Sequence, residues 1–165
     1  KFMESKIKKY TPRQVENQFP CIVKKAISSG GRGVKYIKVQ DDFHDTYDFV
    51  QEYIAHNTFY VGHFYVLDGS IRYSVYYENQ NKTIQEGDIL RGSITGYQKS
   101  QTNIYHQIFE KIFRKLMYSG FASADFCTDL STDNLKVFEI NPRLGGSLLK
   151  NLDDLRAVID VAVNY

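Results

Sequence analysis

Apolar and polar positions recur along most of this chain regularly enough to lay out its elements. Cys21-Ile22-Val23 is a short β-branched run after Pro20, and Val34 to Val39 resumes one after a stretch of Ser and Gly. The opening therefore reads as strand, oversized glycine loop, strand. Between residues 41 and 55 the apolar positions Phe43, Tyr47, Val50 and Ile54 fit a helical stripe, while Phe49, Gln51 and Tyr53 equally begin a strand. Residues 59–67 and 70–77 are aromatic and β-branched runs separated by Asp68-Gly69, the signature of a tight hairpin. Residues 78–88 read as a polar loop and 89–95 as a further strand. Ile104, Ile108, Phe109, Ile112, Phe113, Leu116 and Met117 recur at helical spacing, with Gly120 placed to end that helix in a left-handed cap. Residues 121–127 and 135–140 read as two strands joined by a polar turn at 130–134, and residues 152–163 as a closing helix. With a polar helix or loop at 3–18, the class is α+β.

Composition narrows the function classes. At 165 residues and 42% hydrophobic, the chain can bury a core, as one domain or as two small lobes. Lys and Arg number 21 against 19 Asp and Glu, and a net charge of +2 supplies no broad field for nucleic acid or anionic membrane. Any anion must be bound locally. The 13 Tyr and 11 Phe raise the alternative of a base-stacking sheet, which the near-neutral charge disfavours. No apolar run approaches the ~20 residues that span a bilayer. The start, KFMESKIKKY, lacks the apolar core of a signal peptide, which places the protein in the cytoplasm. Cys21 and Cys127 fall in strand-like runs and read as small core residues rather than a disulfide. The abrupt start without methionine reads as that of a fragment.

Two stretches carry candidate chemistry. Ser28-Ser29-Gly30-Gly31-Arg32-Gly33 lies between two strands, where glycines permit positive φ and let backbone N–H groups converge on a phosphate. Lys24, ending the strand before it, and Arg32 within it add positive charge, while Lys25 points to the opposite face. The stretch is neither a Walker A loop nor a dinucleotide fingerprint, because no helix follows it, and by itself it reads equally as a surface turn.

Glu139-Ile140-Asn141-Pro142-Arg143 is the second. Strand alternation puts Glu139 and Asn141 on one face and points Phe138 and Ile140 into the core. If the strands on either side of 130–134 pair, Asp125 joins Glu139 and Asn141. Two carboxylates and an amide oxygen, with no His or Cys, form a hard-ligand set suited to Mg²⁺ or Mn²⁺ bridging nucleotide phosphates. Such carboxylates repel unless a cation lies between them. Arg143 adds a fixed fork for a phosphoryl oxygen.

These residues resemble the ATP-grasp superfamily, in its carbamoyl-phosphate-synthetase-like, carboxylate-amine ligase branch. The matching pieces are Val23-Lys24-Lys25, the loop at 28–33, the segment Gly120 to Phe126 and the strand Glu139 to Arg143. The resemblance covers residues 19–163 and implies two α+β lobes with mainly antiparallel sheets enclosing a nucleotide cleft. Residues 1–55 would form the smaller, glycine-loop lobe and 56–165 the larger lobe carrying the metal strands. It further implies that Lys24 contacts ATP phosphates and that Ser28, Ser29, Gly30, Gly31 and Gly33 close over them. Glu52-Tyr53-Ile54 is similar to the hinge segment that meets adenine. Asp125, Glu139 and Asn141 would hold Mg²⁺, and Arg143 would steady the transferred phosphoryl group.

The departures are Lys25 in place of a proline, no acid for the ribose near Thr58-Phe59, and no N-terminal domain. His63 is a candidate substrate or phosphate contact, although a lone strand histidine is more often structural. Gly145, Gly146 and Ser147 are candidates to present N–H groups to a substrate carboxylate at the start of the last helix. The implied reaction is ATP-dependent activation of a small carboxylate as an acyl phosphate, followed by attack of an amine or similar nucleophile. The rival is a non-catalytic ATP-binding module with a regulatory or assembly role. The sequence names neither the carboxylate nor the nucleophile and leaves the oligomeric state open, a homodimer included.

Overall fold

The short β-branched runs at the front of the chain pair with one another, not with the longer strands that follow. The computed structural model describes residues 19–27, 33–39, 47–56, 58–79, 97–100 and 105–165. They fall into two compact units that divide between Ala55 and His56.

In the first unit, β1 (Cys21–Lys24), β2 (Val34–Ile37) and β3 (Phe49–Glu52) form an antiparallel sheet in the order β2-β1-β3. Cys21 stands opposite both Ile37 and Glu52. Cys21 and Val23 are fully buried and pack with Ile37 and Tyr47, flanked by Phe19 and Val50. The two-residue period of a strand then places Ile22 and Lys24 on the other face, where they are half-buried. Phe49–Glu52 is thus a strand, the second of the two readings open to that segment, because a ladder along β1 outweighs a local helical stripe. Phe43 lies outside the described residues.

The second unit is a five-stranded antiparallel sheet, ordered β6-β5-β4-β7-β8. Its strands are β4 (Phe59–Leu67), β5 (Ser70–Asn79), β6 (Tyr97–Ser100), β7 (Gly120–Thr128) and β8 (Leu135–Asn141). Helix α1 (His106–Leu116) covers one face and α2 (Leu152–Val163) the other. On the α1 face, Phe109 and Phe113 pack with Phe64, Val66, Tyr76, Ala122, Ala124 and Phe126, largely as tilted or edge-to-face rings. Burial of each ring contributes about 1.5–3 kcal/mol. Phe64, Tyr76, Phe109, Phe113 and Phe126 are thereby committed to the core. On the α2 face, Val158 packs with Val75, Tyr77 and Leu148. Both cysteines are buried and free, and burial pushes the Cys127 thiol up to about 12.

The hairpin at Asp68-Gly69 takes its left-handed turn, with φ of 49° and 76°. It also docks on the end of α1: the Gly69 N–H donates to Tyr118 O at 2.8 Å, and a Cβ on Gly69 would stand 2.7 Å from Arg114 Cα. The left-handed cap of α1 is Met117 (φ 50°), not Gly120, which instead opens β7. The Met117 N–H donates to Arg114 O and the Tyr118 N–H to Phe113 O, while the Tyr118 ring packs on Phe113 at 5.6 Å. That bonding pattern with its apolar contact compensates the cost of a side chain at positive φ. The short edge strand β6, Tyr-Gln-Lys-Ser in sequence, carries no periodicity signal; residues 89–95 and Ile104 lie outside the described residues. No helix among the described residues is long and apolar enough to cross a membrane.

Candidate functional site

Three strands of the second unit carry polar side chains on the face that α2 covers. Across the hairpin through 130–134, Asp125 stands directly opposite Glu139 and Ser123 opposite Asn141. On the other side of β7, Ser123 stands opposite His63 of β4. Rows His63–Ser123–Asn141 and Asp125–Glu139 therefore lie side by side, since same-face neighbours recur every two residues. Glu139 is exposed and Asp125 and Asn141 half-buried. The Asn141 amide nitrogen donates to Glu139 Oε1 at 2.8 Å.

One expectation fails here. Phe138 does not share the core side with Ile140: the ladder slips between Asp125 and Phe126, leaving Phe138 as the extra residue of a β-bulge. Val137 and Ile140 pack on the α1-side core, whereas Phe138 stacks on Phe59 at 5.9 Å and meets His56 at 5.4 Å. Phe59 belongs to the same face as Asp125. An aromatic shelf thus borders the two carboxylates.

The donor set fits a hard divalent cation. Asp125, Glu139 and Asn141 offer only oxygen, two of the three groups are anionic, and no thiol or imidazole intrudes. Among the described residues no three His, Cys, Asp or Glu side chains converge, so this acidic pair is the whole carboxylate complement. Further ligands of a magnesium or manganese ion would come from the amide, from phosphate and from water.

After β8 the chain folds back over the sheet. The Arg143 N–H donates to Asn141 O at 2.8 Å, and the exposed guanidinium donates to Leu144 O at 3.1 Å. Gly145 is buried against His63 and Ser123, whereas nothing lies within 4 Å of a Cβ on Gly146. Ser147 Oγ is hydrogen-bonded to His63 Nε2 at 2.8 Å. These three residues do not start the last helix. They precede a 3-10 turn, Leu148–Lys150, and α2 begins afterwards, capped by Asn151, whose side chain accepts from the Asp154 N–H. A strand-to-helix junction this short left no sequence signal for the intervening turn.

His63 is fully buried, and burial holds its pKa down at about 4; the nearby Arg143 charge lowers it further, while Asp154 opposes both. It is a neutral imidazole at ordinary pH.

Behind His63 lies a buried acid that sequence reading missed. Asp154, only 5% exposed, accepts from Lys99 Nζ at 2.6 Å, Tyr77 Oη at 2.7 Å and Tyr73 Oη at 3.3 Å. Burial would raise its pKa, but the Lys99 ammonium and the Tyr77 and Tyr73 hydroxyls outweigh that and hold it low. The signal was present in the sequence: Asp154 stands four residues before the buried Val158, an acid on the apolar stripe of α2. Asp154→Ala removes the acceptor shared by the Tyr77 and Tyr73 hydroxyls, while the largely exposed Lys99 is resolvated, so it is expected to destabilise the second unit by about 2 kcal/mol. Urea unfolding followed by circular dichroism would show this, and a loss under 1 kcal/mol would mean that the network is incidental.

In the first unit, Lys24 ends β1, opposite Val34 and Phe49. The Lys25 N–H donates to Gly33 O at 2.9 Å, which joins the two ends of the glycine-rich segment. Asp48 accepts from the Ala26 N–H at 2.8 Å. Ser28, Ser29, Gly30, Gly31 and Arg32 lie outside the described residues. Glu52 ends β3, exposed; Tyr53 meets Tyr36 edge-on at 4.9 Å, and Ile54 is buried.

The fold has known counterparts. N5-carboxyaminoimidazole ribonucleotide synthetase from Thermotoga maritima superposes with a TM-score of 0.57 at 15% identity, over 87% of this chain and 38% of that one. Biotin carboxylase from Campylobacter jejuni, in a β,γ-ATP complex, superposes at 0.59 and 16%, over 93% and 39%. L-amino acid ligase from Bacillus licheniformis superposes at 0.58 and 13%, over 88% and 37%. The chain thus spans about two fifths of the length of each. No curated protein matches it by sequence. The family model of the ATP-grasp domain matches residues 3–147, which include the paired strands of Asp125 and Glu139, and the chain belongs to the ATP-grasp family.

Proposed function

We propose that this chain is the ATP-binding part of an ATP-dependent carboxylate-amine ligase. The observation that carries the reading is the direct cross-strand pairing of Asp125 with Glu139, with Asn141 hydrogen-bonded to Glu139 on the same face. Membership of the ATP-grasp family and a fold shared with three ligating or carboxylating enzymes support it.

In this reading Asp125, Glu139 and Asn141 hold magnesium or manganese. When bound, the metal neutralises charge on the ATP phosphates. Lys24, Ser28, Ser29, Gly30, Gly31 and Gly33 contact phosphate through an ammonium group and backbone N–H groups, and Glu52, Tyr53 and Ile54 meet adenine. Arg143 binds the transferred phosphoryl group, stabilising charge that spreads over its oxygens as the bond to the leaving phosphate breaks. A substrate carboxylate oxygen attacks the γ-phosphorus, ADP departs, and an amine then displaces phosphate from the acyl phosphate. Of residues 145–147, Gly146 has open space at its Cβ position for a substrate group, whereas Gly145 lies against His63 and the Ser147 hydroxyl is bonded to it. In this reading no protein nucleophile takes part; positioning and electrostatics carry the reaction.

Calorimetric titration with ATP, with and without Mg²⁺, tests the binding half. Phosphate release from ATP in the presence of a panel of small carboxylates and amines tests the ligase half. Mg²⁺-dependent binding with no carboxylate-stimulated release from the longest native chain would instead favour a non-catalytic ATP-binding module.

A further inference from the structure

His63 is the only fully buried histidine among the described residues, and it touches the turn that carries Arg143 in two ways. Its Nε2 is bonded to Ser147 Oγ across 84 residues of sequence. Its Cε1 fills the space beside Gly145 so closely that a Cβ there would lie 2.5 Å away, with Ser123 Cβ and Oγ at 3.1 Å. The ring cannot swing aside, because it is enclosed and its other flank meets Tyr77 edge-on at 5.6 Å. The turn has bonds of its own, from the Leu148 N–H to Gly145 O at 3.1 Å and from the Asn151 N–H to Leu148 O at 3.0 Å. To the packing of Leu144 and Leu148 on Val75 and Tyr77, the histidine adds a side-chain hydrogen bond that ties the turn to β4.

We propose that His63 is a positioning residue: wedged beneath Gly145 and bonded to Ser147, it holds the 143–147 turn at a fixed height above the metal-facing strands and thereby sets the reach of Arg143. This deepens the reading of Arg143 as the phosphoryl ligand and rests on it. In this arrangement Nε2 is taken by Ser147 and the ring is closed in by Gly145 and Tyr77, while the buried Nδ1 has no hydrogen-bond partner. The charged and titratable groups facing it are Asp154, Arg143 and Tyr77, so its neutrality is part of the arrangement.

Amide hydrogen exchange of the 165-residue chain at neutral pH reads the turn directly, with Leu148 as reporter and the β4–β5 ladder as internal reference. Ser147→Ala and His63→Ala are expected to speed Leu148 exchange about tenfold relative to the ladder, the effect of removing one buried hydrogen bond. His63→Gln, which keeps a polar nitrogen at nearly the same reach, is expected to return it to within about threefold of wild type, as comparable hydrogen bonding would. An unchanged Leu148 rate in a folded Ser147→Ala chain, or a Gln variant no better than Ala, overturns the proposal; should His63→Ala fail to fold, Ser147→Ala decides alone.

Calorimetry with Mg²⁺-ATP and Mg²⁺-ADP supplies the second arm. Ser147→Ala is expected to reduce the preference for the triphosphate toward that of Arg143→Ala, and a loosened turn with full preference would sink the link to Arg143. A wild-type chain that binds neither nucleotide overturns the ligase reading and, with it, the assigned reach of Arg143. The exchange rates still decide whether His63 holds the turn.

Discussion

A chain carrying Glu139→Ala is expected to lose on the order of a hundredfold in Mg²⁺-dependent ATP affinity while its Mg²⁺-free binding stays unchanged, a charge-assisted contact being worth about 2–3 kcal/mol. Glu139 is exposed and outside the core clusters, so its truncation removes no packing. It does remove half of the acidic pair, and it leaves the Asn141 amide without the carboxylate that it donates to. Glu139→Gln keeps the shape and loses only the charge. If charge is what holds the cation, the Gln variant falls nearly as far as Ala; if shape and hydrogen bonding dominate, it stays near wild type. Titration calorimetry of the three chains decides the matter. A Glu139→Ala chain that binds Mg²⁺-ATP like wild type would remove the metal face from the proposed function altogether.

The second large effect concerns acid. His63 has a folded pKa of about 4 against an ordinary 6.5, so between those values the unfolded chain binds the proton and the folded chain does not. Stability contributed by the neutral ring is complete above the unfolded value and falls as pH drops through this window. The loss is about 2 kcal/mol by pH 5 and about 3 kcal/mol by pH 4, from 1.36 kcal/mol per pKa unit. Asp154, held low by Lys99 and the two tyrosines, adds its own loss as acidity increases below the ordinary carboxylate value near 4. Urea unfolding of wild type and His63→Gln at pH 7, 5, 4 and 3 separates the two, because the Gln chain should lack the slope between 7 and 4 and keep only the fall below 4. Equal slopes in both chains would show that His63 is not the titrating group.

Legibility varied with the range of the interaction that made each element. The hairpin at Asp68-Gly69, the helix carrying Phe109 and Phe113 and the strands around Asp125 and Glu139 are encoded by local periodicity and turn chemistry, and those readings agree with the structure. Phe49–Glu52 needed its partner β1 to decide between helix and strand. Tyr97–Ser100 is polar and lies at a sheet edge, so neither periodicity nor propensity marked it. The cap of α1 went to Met117 because bonds to Arg114 and Phe113 and the Tyr118 ring stabilise the left-handed position there.

Within the site, alternation along β8 correctly placed Glu139 and Asn141 on one face, and Asp125 joined them once the hairpin paired. What alternation did not carry was the bulge, because Val137-Phe138 is an apolar pair whose members face opposite ways. Nor did it carry the reach of His63 to Ser147 or of Lys99 to Asp154, contacts 84 and 55 residues apart.

The bulge bears on which changes in chain length the metal face tolerates. Val137 stands opposite Phe126 and Glu139 opposite Asp125, with Phe138 left over between them. A chain lacking Phe138 would run Val137 straight into Glu139 as an unbroken ladder, both carboxylates still abreast, and only the ring stacked on Phe59 would be gone. Insertion or loss of a single residue between Glu139 and Asn141, by contrast, turns one of the two to the opposite side of the sheet. Position 138 is therefore a splice point in β8, where a one-residue change in length leaves the pair of acids in register.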